Sequence, residues 1–114
     1  MRVTTDLWVS ALMRRVFAAG GFAAIIKRGA TEAGAVFILS RNRGEVALFG
    51  PAAQASYDTA KPDERCFQRI GEDSDEAALD AKLEREKRFD PDLWILELEP
   101  GNTPVEELIA VTTP

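Results

Sequence analysis

Five successive apolar residues, Ala35-Val36-Phe37-Ile38-Leu39, constrain the fold of this chain more than any other feature. Neighbouring side chains of a β-strand point to opposite faces, so Val36 and Ile38 face one way and Phe37 and Leu39 the other. The runs at 22–28 and 45–49 share this habit, with Leu48 opposing Phe49. A sheet with one solvated face alternates apolar and polar residues. These strands do not, so both of their faces need cover.

Turn chemistry separates the runs. Gly29-Ala30-Thr31-Glu32-Ala33-Gly34 makes the first connection, and Arg41-Asn42-Arg43-Gly44 the second, with Asn and Gly available for the positive φ of a tight hairpin. Gly50-Pro51 ends the third run, and a polar loop through Tyr57, Asp58 and Pro62 leads to a fourth strand at 65–70. Ahead of the strands, Leu7, Trp8, Ala11, Leu12 and Val16 recur at three- and four-residue steps, which predicts a helix over 6–19. Thr4 or Thr5 caps it and Gly20-Gly21 closes it. A second helix is expected over 74–88, capped by Asp73 or Ser74 and stopped by Asp90-Pro91. Its apolar stripe is thin: Ala78, Leu79 and Leu83. The last strand, 93–99, sets Trp94, Leu96 and Leu98 on one face and Glu97 and Glu99 on the other.

The predicted fold is a single α+β domain over residues 1–99. Its order is helix, four-stranded antiparallel meander, helix and final strand, in one sheet with the helices packed on it and a right-handed crossover into the last strand. A chain of 114 residues suits one core. Residues 100–114 form a C-terminal tail, either a short helix starting at Thr103-Pro104 or a frayed end. The second face of the sheet is covered either by the second helix or by another copy of the chain. The thin stripe of that helix favours a partner surface, in the form of a homodimer.

Composition narrows the chemistry. There is no histidine and a single cysteine, Cys66, which removes Ser-His and Cys-His nucleophiles, imidazole metal sites, disulfides and cysteine-cluster zinc sites. No cofactor is expected: Gly20-Gly21 lacks the third glycine of a dinucleotide turn, and no glycine-rich stretch has Walker spacing. The acidic run Glu72-Asp73-Ser74-Asp75-Glu76 fails as a calcium loop, because Ala77 and Ala78 occupy a ligand and the glycine position. Pro91-Asp92 with Glu97 and Glu99 is too closely spaced for a two-strand Mg²⁺ nuclease site and has Glu99 where a lysine belongs. Ser10 with Lys27 has no supporting signature, and Cys66 beside Arg65 reads as a structural thiol. A lone thiol, and the lack of any signal peptide or membrane-length apolar run, place the expected protein in the cytoplasm.

Charge is shared unevenly. Residues 1–57 carry +4 and residues 58–114 carry −9, which together make the net −5. If the first helix and the hairpin share one end of the sheet, Arg14, Arg15, Arg41 and Arg43 gather on one edge as a candidate site for an anion or an acidic partner. An isoelectric point near 4.8, and the lack of aromatic residues among these arginines, weigh against nucleic acid.

Two segments carry a family resemblance: Leu7-Trp8-Val9-Ser10-Ala11-Leu12 with Arg14-Arg15, and Phe89-Asp90-Pro91-Asp92-Leu93-Trp94. With them the chain resembles, over roughly residues 7–99, a family of small alphaproteobacterial proteins known only as domain of unknown function 1491. The resemblance implies a bacterial cytoplasmic protein and brings no activity, cofactor or catalytic residue. The function expected from the residues is a non-enzymatic protein-binding or adaptor module. The alternatives are a nucleic acid or phosphorylated ligand held by the four arginines, and a carboxylate-dependent metal enzyme using residues from Asp58 to Asp75.

Overall fold

The structure is a computed structural model that describes residues 3–52, 65–73 and 76–112, with Glu72 and Asp73 described by their backbone only. The loop through Tyr57, Asp58 and Pro62, the Asp73 or Ser74 cap, and most of the stretch read for a metal enzyme lie outside the described residues. The elements run α1 (Thr5–Ala18), β1 (Phe22–Lys27), β2 (Val36–Asn42), β3 (Glu45–Pro51), β4 (Cys66–Asp73), α2 (Glu76–Phe89), β5 (Trp94–Glu99), α3 (Val105–Leu108) and β6 (Ala110–Val111).

The fold is α+β with a single sheet, but the sheet is mixed. Its strand order is β1-β5-β2-β3-β4-β6. The expected four-stranded meander is therefore corrected: only β2, β3 and β4 are consecutive antiparallel neighbours, and β5 lies between β1 and β2. It runs parallel to β2, with Val36 opposite Trp94 and Ser40 opposite Leu98. The reason lies in the first connection. Residues 28–35 are too long for a tight hairpin and instead arch over the start of β5. There Ala30 N–H donates to the Asp92 carbonyl at 2.9 Å, the Trp94 N–H donates to the Ala35 carbonyl at 2.7 Å, and the Lys27 ammonium donates to the Pro91 and Leu93 carbonyls at 2.7 and 3.0 Å. Trp94 is fully buried, and its indole N–H donates to the Ala30 carbonyl at 2.8 Å.

Two cores result, one on each face. On the first, Val9, Leu12 and Val16 of α1 and Val105, Leu108 and Ile109 near the C-terminus cover Ile38, Phe49, Trp94, Leu96 and Leu98. On the second, Leu79 and Leu83 of α2 cover Phe37, Leu39, Val46, Leu48 and Ile95. The expectation that a partner covers the second face is thus corrected, since two leucines one turn apart suffice when they sit over the central strands. The stripe of α1 is also rotated from its predicted position. Thr5, Val9, Leu12 and Val16 are buried, Trp8 is only half-buried, and Leu7 is 60% exposed. Thr4 is the cap, its hydroxyl accepting from the Leu7 N–H at 3.3 Å. Thr5 instead donates from its hydroxyl to the Gly34 carbonyl.

The β2–β3 hairpin turns on Arg43 and Gly44, both at positive φ (54° and 84°), with Asn42 opposite Glu45. Positive φ at both central residues is the signature of the tight turn that matches strand twist. Residues 100–112 fold back on the domain: the Asn102 N–H donates to the Ala19 carbonyl at the end of α1, and β6 pairs with β4 in parallel.

Candidate functional site

The register fixes where the arginines lie. The end of β2, the end of β5 and the start of β1 share one end of the sheet, since Ser40 pairs with Leu98 and Phe22 with Glu99. The C-terminus of α1 leads into that same end, so Arg14, Arg15, Arg41 and Arg43 all belong to it, but on different faces. Arg14 and Arg15 are exposed on α1, over the first face. Arg41 lies on the opposite face, where it pairs with Glu76 at the start of α2 and with Glu97 of β5. Arg43 projects from the exposed turn.

Arg41 is committed to these carboxylates. One nitrogen reaches Glu76 at 2.9 Å, a second makes a shorter contact with the same carboxylate, and Nε donates to Glu97. The hydrogen bonds it donates to Glu76 and then to Glu97 raise the guanidinium pKa above its ordinary value, and accepting from Arg41 lowers that of Glu76. A carboxyl whose folded pKa is lowered contributes stability above its ordinary value of 4.5 and loses that contribution as pH falls through the depressed folded value. Arg41→Gln is therefore expected to lower the denaturant midpoint at pH 7, with the difference from wild type shrinking below about pH 4. Urea titrations of both proteins from pH 7 to pH 2.5 check this; a difference that stays constant across that range would show that the pair contributes nothing through charge.

Arg65 sits differently. It is half-buried at the start of β4, donates to the Gly34 carbonyl and the Thr5 hydroxyl, and lies 5.6 Å from the Trp8 ring. Burial lowers its pKa. Its donors go to neutral oxygens that join α1, the 28–35 arch and β4, which is the work of a structural staple.

A cleft of about 630 Å³ opens on the first face between the β2–β3–β4 strands and the returning segment at 100–106. Ala47, Phe49 and Val105 form apolar walls, while Ser40, Glu45 and Arg69 contribute polar groups. The Arg69 guanidinium lies 5.3 Å from the Phe49 ring and 3.8 Å from the Glu106 carboxylate. With no histidine in the chain, Ser40 has no imidazole base. Among the described residues no group of three or more His, Cys, Asp or Glu side chains is placed to hold a metal, and no helix is long and apolar enough to cross a membrane. The sequence reading missed this cleft because one wall belongs to the tail.

The sequence reading also missed the outer edge of the sheet. β1 pairs with β5 along one side, and among the described residues the strand order leaves its other side at the border of the sheet. An edge strand presents unpaired N–H and C=O groups, and proteins usually guard it with charge, proline or brevity. The opposite border is guarded in that way, since β6 has only two residues. β1 has six, Phe22-Ala23-Ala24-Ile25-Ile26-Lys27, and its one charge is turned back onto the Pro91 and Leu93 carbonyls. Phe22 and Ile26 are 51% and 57% exposed, and Phe17 of α1 meets Phe22 edge-to-face at 6.3 Å while itself 49% exposed. A bulge between Ile25 and Lys27 limits the open ladder to the stretch up to Ile26.

Comparison with known proteins places this architecture. Residues 3–104 match the family model described as "Protein of unknown function (DUF1491)". The chain is similar to the solution structure of protein Atu0922 from A. tumefaciens, with 43% identity, a TM-score of 0.83, and coverage of 100% of this chain and 98% of that one. It is also similar to a DUF1491 family protein from Caulobacter crescentus CB15. The crystal structure of that protein aligns at 32% identity and a TM-score of 0.76 over 99% of this chain and 100% of that one. Its NMR structure aligns at 32% identity and a TM-score of 0.77 over 99% of each chain. No curated protein matches the chain.

Proposed function

The chain belongs to the DUF1491 family of proteins of unknown function, and from that premise we propose that it is a non-enzymatic protein-binding module of the cytoplasm that takes an extended partner segment along the free edge of β1. The single observation that carries this reading is the unguarded edge itself: a six-residue border strand, its lysine turned inward, with Phe17, Phe22 and Ile26 half exposed along it. Strand addition draws affinity from main-chain hydrogen bonds and specificity from alternate side chains, and this edge offers both. The lone thiol of Cys66 suits a reducing compartment.

The arginine-rich end is the weaker reading. Arg14, Arg15 and Arg43 are exposed there, but Arg41 can join them only by leaving two carboxylates. The cleft beside Arg69 is a third surface, and one experiment separates it from the edge. Extended peptides selected by display against the folded protein are expected to slow hydrogen exchange at the outward amides of 22–26, and to bind on the order of tenfold more weakly to Ile26→Glu, where a charge replaces an apolar contact. Binders whose shifts map instead to Phe49, Arg69 and Val105 would sink the edge reading.

A further inference from the structure

We propose that the strand which pairs with β1 is β1 of a second copy, antiparallel about Ala24, so that two six-stranded sheets join into one. This rests on the strand-addition reading and names its partner. A two-fold axis perpendicular to a sheet sets one residue of each edge strand opposite its own copy, as a closed symmetric dimer requires. With Ala24 on the axis, Phe22 stands opposite Ile26 of the second copy, Ala23 opposite Ile25, and Ala24 opposite itself. That register joins the two large exposed side chains of the strand and keeps the small ones at the centre. Moving the axis to Ala23 sets Phe22 against Ala24 and leaves Ile26 beyond the pairs.

Charge agrees with this register. Within the ladder no charged residue opposes a like charge. Its two ends differ in sign, with Glu99 beside Phe22 at the start and Lys27 and Arg28 at the finish, Arg28 also paired with Asp6. Antiparallel pairing brings the acidic start of one copy to the basic finish of the other. Phe17, edge-on to Phe22, extends the contact onto α1. A ladder of five residues belongs with small interfaces, below about 1,200 Å² in total, which dissociate on dilution.

The test uses the whole chain. Sedimentation velocity and NMR diffusion between about 10 μM and 1 mM are expected to show a shift from 12.5 kDa toward twice that mass, with chemical-shift changes centred on 22–26. Isotope-filtered spectra of a labelled and unlabelled mixture are expected to connect Phe22 with Ile26 across the interface. A chain carrying Phe22→Lys with Ile26→Lys, and another carrying Phe22→Asp with Ile26→Asp, are each expected to stay monomeric and to pair when mixed; circular dichroism confirms that each is folded. A monomer at 1 mM overturns the self-pairing, as does a dimer that ignores these substitutions or a mixture that fails to pair. If that monomer still takes displayed peptides along β1, only the identity of the partner is lost. If β1 neither pairs nor takes a peptide, the binding reading falls with it.

Discussion

Gly29→Ala is expected to destabilise the protein by about 3 kcal/mol, at the upper end of what overpacking usually costs. A Cβ at this position meets the Asp92 carbonyl oxygen at 2.1 Å and the Leu93 carbonyl oxygen at 2.5 Å. Both are backbone atoms at the start of β5, held by the hydrogen bonds from Ala30 and Lys27, so neither can step aside as a flexible side chain would. Gly44→Ala is the matched control. That glycine has positive φ, unlike Gly29, but nothing lies within 4 Å of an added Cβ, so only backbone strain of roughly 1 kcal/mol applies. Chemical denaturation of the three proteins measures the gap. Equal midpoints for the two variants would mean that the arch does not press on β5.

Trp94→Ala carries the other large effect, about 3–5 kcal/mol, as for removal of a large aromatic side chain from a packed core. The ring is fully buried between the first core and the arch, with the Arg28 guanidinium 5.1 Å from its centre. Trp94→Phe separates packing from hydrogen bonding. It keeps an aromatic ring but leaves the Ala30 carbonyl without its indole donor, at a cost of about 1–2 kcal/mol. Far-ultraviolet circular dichroism in guanidinium gives both values, and Trp8 remains as a fluorescent reporter. If the phenylalanine variant lost as much as the alanine variant, the hydrogen bond rather than the ring would dominate the site.

Both predictions fall on the contact between the arch at 28–35 and the start of β5, which is where sequence and structure part company. Two glycines bracketing a six-residue connection look like loop chemistry, and so they are. What lies beneath that loop is set by Asp92, Leu93 and Trp94, far along the chain. The elements themselves were legible: α1, the β2–β3 hairpin, and the face of β5 bearing Trp94, Leu96 and Leu98 follow from periodicity and turn chemistry and recur in the structure. The candidate site was less so. Arg41 looks like any other arginine in sequence, and only the fold brings Glu76 and Glu97 to it. The β1 edge could not be recognised either, because an apolar run reads alike whether its strand is central or at the border.

That ambiguity also applies to the apolar run from Ala35 to Leu39. The sequence alone called for cover on both sides of Val36, Phe37, Ile38 and Leu39, since a short run between turn residues reads as a strand, which points them alternately to two faces, and all four must leave water. Only the tertiary structure decided what does the covering: α1 with the C-terminal segment on one face, α2 on the other, and β5 alongside in parallel. Burial depends on apolar area and has no direction, so a sequence can demand cover without naming its source. Strand order decides the source, and it also decides which apolar strand is left at the border, where β1 stands open.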